Sequence, residues 1–364
     1  MSELKIDKEF ISKAINCGIP FATWLEPNSN KVNFTICNPE DLIEIYSYRE
    51  LDKYKGFIFS PFDACKHLPI YIIPFNTDTN IIELNCTKGN NCIVGDVSKF
   101  NSNLKESKKQ HISQVNKFLD AFSKTWVKKA VLSRNKWLDN YEIYQMPELF
   151  SKLCDSYPNA FVYQVFIPDA GYWVGATPEV LFSTNNGTAT TVSLAGTQPY
   201  NEKAHWDKKE VIEQELVTKH IRNVMYEFGI HDYKETGPET AKAGKLAHIK
   251  TQIDFNKSFI ANNVGHFIEK LHPTPAICGL PVKDSLELIF QTENFDREYY
   301  CGFLGPFNPN DRTNLFVNLR CLQAFENGVA LYAGGGITPD SDPEKEWEET
   351  KLKIQTLQQI LEQL

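Results

Sequence analysis

Three consecutive glycines near the C-terminus constrain the fold of this chain more than any other feature of its sequence. The apolar and aromatic run from Val329 to Ala333 is typical of a strand, and residues 334–336, all glycine, predict a turn after it. Without side chains, the backbone N–H groups of such a turn are open to close approach by an anion. The sequence therefore predicts an anion-binding turn between a strand and whatever follows it.

A helix is predicted directly after these glycines. Its start can be read in two ways: Ser341 and Glu344 have the spacing of a capping box, and Asp342 followed by Pro343 is an alternative cap. Apolar residues then recur at helical spacing and predict a stripe that faces the core. The stripe consists of Trp347, Ile354, Leu357, Leu361 and Leu364.

Two pairs of glutamates have the three-residue spacing that places both members on one helix face. Glu346 and Glu349 lie on the C-terminal helix with Lys353 beside them, and Glu210 and Glu213 lie on a second predicted helix. Two such pairs that meet across a cleft could hold a hard divalent cation through oxygen ligands. For either pair alone, a solvated helix face is the alternative.

Two single ionisable residues stand at positions where burial would change their chemistry. Lys129 begins the apolar run Ala130–Leu132, and a lysine desolvated at a strand end can act as a base. Glu179 lies among apolar neighbours, which would keep its carboxyl group protonated as a potential acid. The alternatives are an ordinary edge lysine and a helix-start carboxylate after Pro178.

The remaining pattern mixes strands and helices. Residues 297–305 and 315–325 are predicted strands, and Arg320 within the second would pair bidentately with a carboxylate. Residues 259–271 are predicted to form one helix. Strand-like runs within residues 1–110 are expected to complete a sheet and to shield a site formed by the rest of the chain.

Composition narrows the classes of function. The net charge of −8 over 364 residues argues against a nucleic-acid partner, although local cations or a metal could still hold a small anion. Nine cysteines, an odd number with no CxxC spacing, predict reduced and mostly buried thiols in a cytoplasmic protein. The sequence shows neither a signal peptide nor an apolar run long enough to cross a bilayer, so no membrane partner is expected.

Seven motifs, taken in their order along the chain, resemble those of the chorismate-utilising enzymes, a family that includes isochorismate, salicylate, anthranilate and aminodeoxychorismate synthases. The resemblance covers about residues 120 to 360. The motifs are KAVLSR from Lys129, GATPE from Gly175, LAGT from Leu194, KEVIE from Lys209, HPTPA from His272, REYYCG from Arg297, and the closing GGGI with EKEWEETKLK.

The resemblance implies a fold of the α/β (α+β) class. Two large, mostly antiparallel sheets would pack together with helices outside, in a single chorismate-binding domain over residues 1–364. Residues 1–110 would be the variable N-terminal part of that fold and residues 120–360 its core. A monomer is expected, since the sequence shows no obvious partner surface.

The resemblance also implies a metal and a substrate. Mg²⁺ would be held by Glu213 and Glu349, with Glu210 and Glu346 near it through water, and would bind the ring carboxylate of chorismate. Eight further positions match substrate-binding positions of the family. They are Gly196, Thr197, Ala276, Ile277, Tyr300, Arg320, Gly334 and Lys353.

The residue at position 129 indicates which branch of the family this chain resembles. Members that use water as the nucleophile carry lysine there, so Lys129 would be the general base and Glu179 the general acid in forming isochorismate. Salicylate synthases share both residues but carry a threonine where this chain has Ala276 or Ile277. Salicylate synthase, an aminating synthase and a non-catalytic metal-binding domain stay as alternatives, and the menaquinone and siderophore pathways are both open.

Overall fold

The computed structural model describes residues 8–63, 68–81, 107–201, 205–243 and 246–364. Within these residues the chain forms strands and helices in alternation, with the strands gathered in two sheets. The helices are α1 (Lys8–Asn16), α2 (Lys108–Lys124), α3 (Met146–Ser156), α4 (Lys208–Glu227), α5 (Val264–Leu271), α6 (Val282–Thr292) and α7 (Pro343–Leu361).

The strands run from near the start of the described chain to its last helix. They are β1 (Phe21–Leu25), β2 (Val32–Ile36), β3 (Ile43–Ile45), β4 (Gly56–Ser60), β5 (Ile70–Pro74), β6 (Lys129–Asp139), β7 (Phe161–Ile167), β8 (Gly171–Thr177), β9 (Val180–Asn185), β10 (Thr188–Pro199), β11 (Tyr233–Ala243), β12 (Leu246–Asn256), β13 (Gly279–Leu280), β14 (Phe303–Phe307), β15 (Thr313–Val317), β16 (Cys321–Phe325) and β17 (Gly328–Ile337).

Two antiparallel sheets contain all of these strands. The eight-stranded sheet has the order β13-β6-β17-β16-β8-β7-β1-β2, and the nine-stranded sheet has the order β11-β12-β10-β9-β15-β14-β4-β5-β3. The two sheets therefore match the large antiparallel sheets that the resemblance implied. Strands from the N-terminal part join both sheets, since β1 pairs with β7 and β4 pairs with β14.

Strand β7 of the eight-stranded sheet supplies two apolar faces, because successive side chains point to opposite sides. On β7, Tyr163 and Val165 belong to the large core between the sheets, whereas Val162 and Phe166 belong to a second core. Helices α1, α3 and α7 cover that second core with residues such as Ile11, Leu149 and Ile354. Burial on both faces explains why β7 and β8 read as continuous apolar runs.

The three glycines lie inside a strand, so the predicted glycine turn is wrong. Strand β17 runs on to Ile337, and residues 334–336 pair with Ser133, Leu132 and Val131 of β6. A side chain at Gly336 would meet Lys129 Cε at 2.8 Å and Glu213 Oε1 at 2.9 Å. Glycine is needed here because other side chains approach the strand closely, not because the chain turns.

The cap of α7 is the second of the two alternatives. The Asp342 carboxylate accepts hydrogen bonds from the N–H groups of Glu344 and Lys345, and Pro343 is the first helical residue. The Ser341 hydroxyl instead accepts a bond from the Thr338 N–H. The helix and its start are therefore confirmed, with Asp342 as the capping residue.

Three predicted elements differ from the structure. Residues 315–325 divide into β15 and β16, which lie in different sheets, so Arg320 lies in the crossing between them and not within a strand. Residues 297–302 form a tight turn before β14. The helix predicted over 259–271 begins only at Val264, after a 3-10 turn over Lys257–Ile260.

Five of the described cysteines are free, namely Cys37, Cys154, Cys278, Cys301 and Cys321. Cys17 is disulfide-bonded, so the prediction that all nine thiols are reduced is wrong at this position. No helix in the described parts of the chain is long and apolar enough to cross a membrane.

Candidate active site

One cavity lies where the ends of β6, β8, β10 and β17 approach helices α4 and α7. Twelve of the fourteen residues predicted for the site line it, together with other residues that sequence reasoning did not single out. The predicted residues are Lys129, Glu179, Gly196, Thr197, Glu213, Ala276, Ile277, Tyr300, Arg320, Gly334, Glu349 and Lys353. The other two, Glu210 and Glu346, are not among its lining residues.

Lys129 is the first residue of β6 and is almost fully buried, with 2% of its surface exposed. Its backbone is fixed because it pairs with Leu280 of the edge strand β13 and its carbonyl accepts a hydrogen bond from the Ser285 hydroxyl. Its Nζ lies 4.0 Å from Glu213 Oε2. A buried amine held at a cavity wall in this way has the position expected of a general base.

Glu179 lies in the short link between β8 and β9 and is also buried. Its backbone is held on both sides, since its N–H donates to the Thr177 hydroxyl and its carbonyl accepts from the Val317 N–H. Burial raises the pKa of its carboxyl group to about 7, against the opposing effect of Lys129 and other cations. The group can therefore carry a proton near neutral pH and donate it.

Helices α4 and α7 bring the two glutamate pairs to the same side of the cavity. Glu213 on α4 is buried, and burial raises the pKa of its carboxyl group in spite of the nearby Lys129. On α7, Glu346 is 2% exposed, and burial raises its pKa as well. Such an accumulation of acids inside a protein requires compensating cations.

Lysine side chains supply that compensation. The Lys209 Nζ lies 2.5 Å from Glu346 Oε1, and the Lys353 Nζ lies 2.6 Å from Glu349 Oε1. Lys353 also donates to the Gly334 carbonyl oxygen at 2.8 Å. Of these residues Lys353 and Glu349 line the cavity, which encloses about 90 Å³. Small-molecule sites are typically several times larger, so these side chains would have to move apart for a ligand to enter.

The carboxylates satisfy one test of a divalent-metal site. Among the described residues no group of three or more His, Cys, Asp or Glu side chains stands ready to hold a metal ion. Nevertheless Glu210 Oε2, Glu213 Oε1 and Glu346 Oε2 are buried oxygens without a hydrogen-bond partner. Unpartnered buried oxygens are costly, and a hard cation is a ligand that would satisfy them. The donor set therefore fits Mg²⁺.

Arg320 and Tyr300 also line the cavity. Arg320 lies between β15 and β16 with a left-handed backbone (φ 50°). Its Nη1 is buried without a hydrogen-bond partner. Tyr300 is buried and stacks on Tyr332, with ring centroids 5.2 Å apart. An unpaired guanidinium nitrogen next to phenol rings is suited to a carboxylate.

A buried ion pair connects three of the segments that carry site residues. Arg297 donates to both carboxylate oxygens of Glu293, at 2.8 and 2.6 Å, and also to the carbonyl oxygens of Ile277 and Val131. Glu293 in turn accepts from the Ser133 N–H at 2.6 Å. The pair thus ties β6, the loop around Ile277 and the turn before Tyr300 to one another.

Sequence reasoning missed His248 on β12, which also lines the cavity. Its Nδ1 lies 2.6 Å from the Gly196 carbonyl oxygen and 3.4 Å from the Thr197 hydroxyl. Residues 196 and 197 interrupt the register of β10 with β12, a bulge that turns them into the cavity. In the sequence His248 is a single histidine within a predicted strand, and a single histidine in a strand does not indicate a site.

Comparison with known proteins agrees with the fold. A family model for chorismate binding enzymes matches residues 80–362 of this chain. The isochorismate synthase EntC of Escherichia coli strain K12 is 30% identical over 241 residues, which are 64% of this chain and 61% of EntC. The matched stretch is thus less than two thirds of that relative's length.

Solved structures show the same architecture over nearly the whole chain. DhbC of Bacillus anthracis, assigned as a 2,3-dihydroxybenzoate-specific isochorismate synthase, has a TM-score of 0.76 at 19% identity and covers 98% of this chain and 99% of its own. MenF of Escherichia coli, the menaquinone-specific isochorismate synthase, has a TM-score of 0.73 at 18% identity and covers 96% and 91%. At these identities the likeness shows the fold, and the family model identifies the lineage: the chain belongs to the chorismate binding enzymes.

Proposed function

We propose that this protein is an isochorismate synthase, which converts chorismate to isochorismate. One observation carries the proposal: the buried Lys129 amine and the buried, readily protonated Glu179 carboxyl group line the same cavity. A hydroxyl group is exchanged between two ring positions in this reaction, so it needs one base and one acid. The similarity to relatives named isochorismate synthase supports the same assignment.

The reaction follows from the roles of these two residues. Lys129 takes a proton from water as the water oxygen bonds to C2 of the ring. The two ring double bonds shift, from C1–C2 and C5–C6 to C1–C6 and C4–C5, and the C4–oxygen bond breaks. Glu179 gives its proton to the leaving hydroxyl, which departs as water, so atoms and charge balance. Because hydroxide is a poor leaving group, the acid is needed as much as the base.

The remaining site residues bind and orient the substrate in this proposal. Arg320 and Tyr300 hold one carboxylate of chorismate. Lys353 also lines the cavity and would contact another polar group of the substrate. Glu213 and Glu349 would hold Mg²⁺, with Glu210 and Glu346 nearby. When bound, the ion supplies positive charge for the ring carboxylate and positions it.

Salicylate synthase is the second candidate, because it would use the same base and acid and then eliminate pyruvate. The loop that carries Ala276 and Ile277 distinguishes the two, since these side chains line the cavity without a hydroxyl group. An aminating synthase is disfavoured by the buried amine of Lys129, because ammonia as a nucleophile would not require a general base to activate water. These assignments predict isochorismate as the accumulating product.

A product assay tests the proposal. Purified protein is incubated with chorismate and Mg²⁺, with and without ammonium, and the products are separated by liquid chromatography beside an EDTA control. Isochorismate in equilibrium with chorismate, lost on chelation, is the expected result. Salicylate with pyruvate, or an aminated product that depends on ammonium, would reject the proposal in favour of another branch of the family.

A further inference from the structure

A second cavity lies on the far side of Arg320 from the candidate active site. It encloses about 550 Å³, which is within the usual range for small-molecule sites. The end of α3, the end of β11, the start of β12 and one face of α7 form its walls. Pro178, His248 and Arg320 line both cavities, so these three residues form the partition between them.

The partition carries two polar groups that lack partners. Arg320 Nη1 is a buried donor on a charged group and has no acceptor. His248 Nδ1 lies 2.6 Å from a carbonyl oxygen, which can only accept, so Nδ1 carries the hydrogen and Nε2 is an acceptor. That Nε2 is also buried and without a partner. The partition therefore offers a place for an anion and, beside it, a place for a hydroxyl donor.

The rest of the wall is largely apolar. Leu246, Leu357 and Ile360 contribute aliphatic surface, and Pro158 and Ala160 add to it. Such walls bury a ring more favourably than a polar chain. Further along the lining are one cation and two amides, which suit a second polar substituent. They are Lys242, Gln359 and Gln363.

We propose that this cavity is a second ligand site, which binds a small ring compound carrying a carboxylate and a hydroxyl group. The carboxylate pairs with Arg320 and the hydroxyl donates to His248. The cavity lacks the chemistry to transform its ligand, since neither Lys129 nor Glu179 lines it. The bound compound instead takes the Arg320 guanidinium away from the substrate and so inhibits the enzyme.

Binding of the compound does not depend on the proposed function; only the inhibition rests on it, through the role of Arg320 in holding the substrate. The two can therefore be measured separately. The probe is 3-hydroxybenzoate, and 3-hydroxybenzyl alcohol, which lacks the carboxylate, is the matched control compound. Isothermal titration calorimetry measures their binding, and chorismate turnover measures inhibition.

Two substitutions fill the second cavity at positions that do not line the first. Ile360→Trp replaces a buried wall residue, and Gln363→Trp replaces an exposed one, so the second variant tests the site even if the first is poorly folded. We expect 3-hydroxybenzoate to bind the unmodified protein, and both variants to weaken that binding at least about tenfold. The kcat and KM for chorismate should not change in either variant, while inhibition by the probe is lost.

Several results would overturn the proposal. One is the absence of any binding at about 10 mM probe, which corresponds to an affinity too weak to matter. If the unmodified protein and both tryptophan variants bound 3-hydroxybenzoate with equal affinity, the probe would lie in the catalytic cavity. If 3-hydroxybenzyl alcohol bound as tightly as 3-hydroxybenzoate, Arg320 would be excluded as the partner of the carboxylate. A changed kcat or KM in both tryptophan variants without probe would make the cavity a substrate route. Variant-sensitive binding without isochorismate formation would reject the proposed function alone.

Discussion

At the scale of single residues, the two buried ionisable groups of the cavity determine the proposed chemistry. Replacing Lys129 by alanine or Glu179 by glutamine should reduce kcat by about 10²–10⁴-fold, because each removes one proton transfer. The measurement is steady-state turnover of chorismate, with circular dichroism to verify folding. Activity like that of the unmodified protein in either variant would contradict the assignment of base and acid.

The raised pKa of Glu179 predicts how activity depends on pH. Since only the protonated carboxyl group can donate, kcat should fall as the pH rises through about 7. The Glu179→Gln variant has no ionisable group at this position. Any residual activity of this variant should therefore not show the fall in kcat near pH 7. A kcat that continues to rise well above neutral pH would contradict the role of Glu179 as acid.

The same pKa predicts a change in stability. The folded protein holds a proton on Glu179 that an unfolded chain releases near its ordinary value of 4.5. The stabilisation is therefore complete below pH 4.5 and is lost as the pH rises towards about 7. Over this window the free energy of unfolding should fall relative to that of Glu179→Gln, as measured by urea denaturation. A constant difference between the two proteins would contradict the burial of this group.

The sequence predicted these residues better than it predicted their neighbours. Lys129 and Glu179 could be chosen because a single charge at the edge of an apolar run is visible locally. His248 and Lys209 could not, because what matters for them is a partner distant in the chain. His248 meets residue 196 and Lys209 meets Glu346, contacts that only the assembled fold creates.

At the scale of elements, the glycines of β17 give the strand room beside the site. Gly336→Ala would place a methyl group 2.8 Å from Lys129 Cε and 2.9 Å from Glu213 Oε1, so both side chains must shift. Because small displacements of catalytic groups are costly, we expect kcat to fall by about 10²-fold. Gly335→Ala is the matched control. Its methyl group would meet Glu346 Oε2 at 3.2 Å, a less severe contact, so kcat should fall less in this variant. Equal effects in chorismate turnover would contradict this account.

The ion pair between Arg297 and Glu293 is predicted to stabilise the segments that it joins. Arg297→Met should lower the free energy of unfolding by about 3–5 kcal/mol, because it leaves the Glu293 carboxylate buried and unpaired. Replacing both residues by methionine should cost less than the single change, since no uncompensated charge is left. Urea denaturation of these two variants and of Glu293→Met would give the free energies of unfolding for a double-mutant cycle. A double variant less stable than Arg297→Met would contradict the prediction.

Strand and helix predictions succeeded where the pattern was local. The strand over Val329–Ala333 and helix α7 could be predicted from their sequences, because an apolar and aromatic run and a capped amphipathic helix have distinct local patterns. The glycines of β17 were predicted to form a turn, but glycine is needed there because the side chains of Lys129 and Glu213 approach the strand closely. Both side chains belong to other elements. A local pattern contains no information about such neighbours.

At the scale of the whole molecule, a metal ion would join helices α4 and α7, which flank the site from separate parts of the chain. If Glu213 and Glu349 hold Mg²⁺, the ion should stabilise the folded protein by roughly 2.7 kcal/mol at a hundred times its Kd. That corresponds to a rise of several degrees in Tm, measurable by differential scanning fluorimetry without turnover. The Glu213→Gln, Glu349→Gln double variant should show no such rise. An equal rise in both proteins would reject these ligands.

Sheet membership was beyond the reach of the sequence. Apolar runs predicted strands, but nothing local shows that β15 and β16, neighbours in the chain, lie in different sheets. The two-sheet fold itself came from a resemblance spread over seven motifs. Their order, more than any single one of them, carried the information.

The crossing between β15 and β16 limits where residues can be inserted into or deleted from this chain. From Val317 to Cys321 the chain has four Cα steps, so it spans at most about 14 Å, while packed sheets lie about 10 Å apart. The link that carries Arg320 is therefore short, and within it the Leu319 N–H donates a hydrogen bond to the Val317 carbonyl oxygen. Removing or adding one residue would disrupt this turn and displace the guanidinium of Arg320. Insertions and deletions, which surface loops absorb easily, should be lethal to function here, and a library of length variants would show a gap at this crossing.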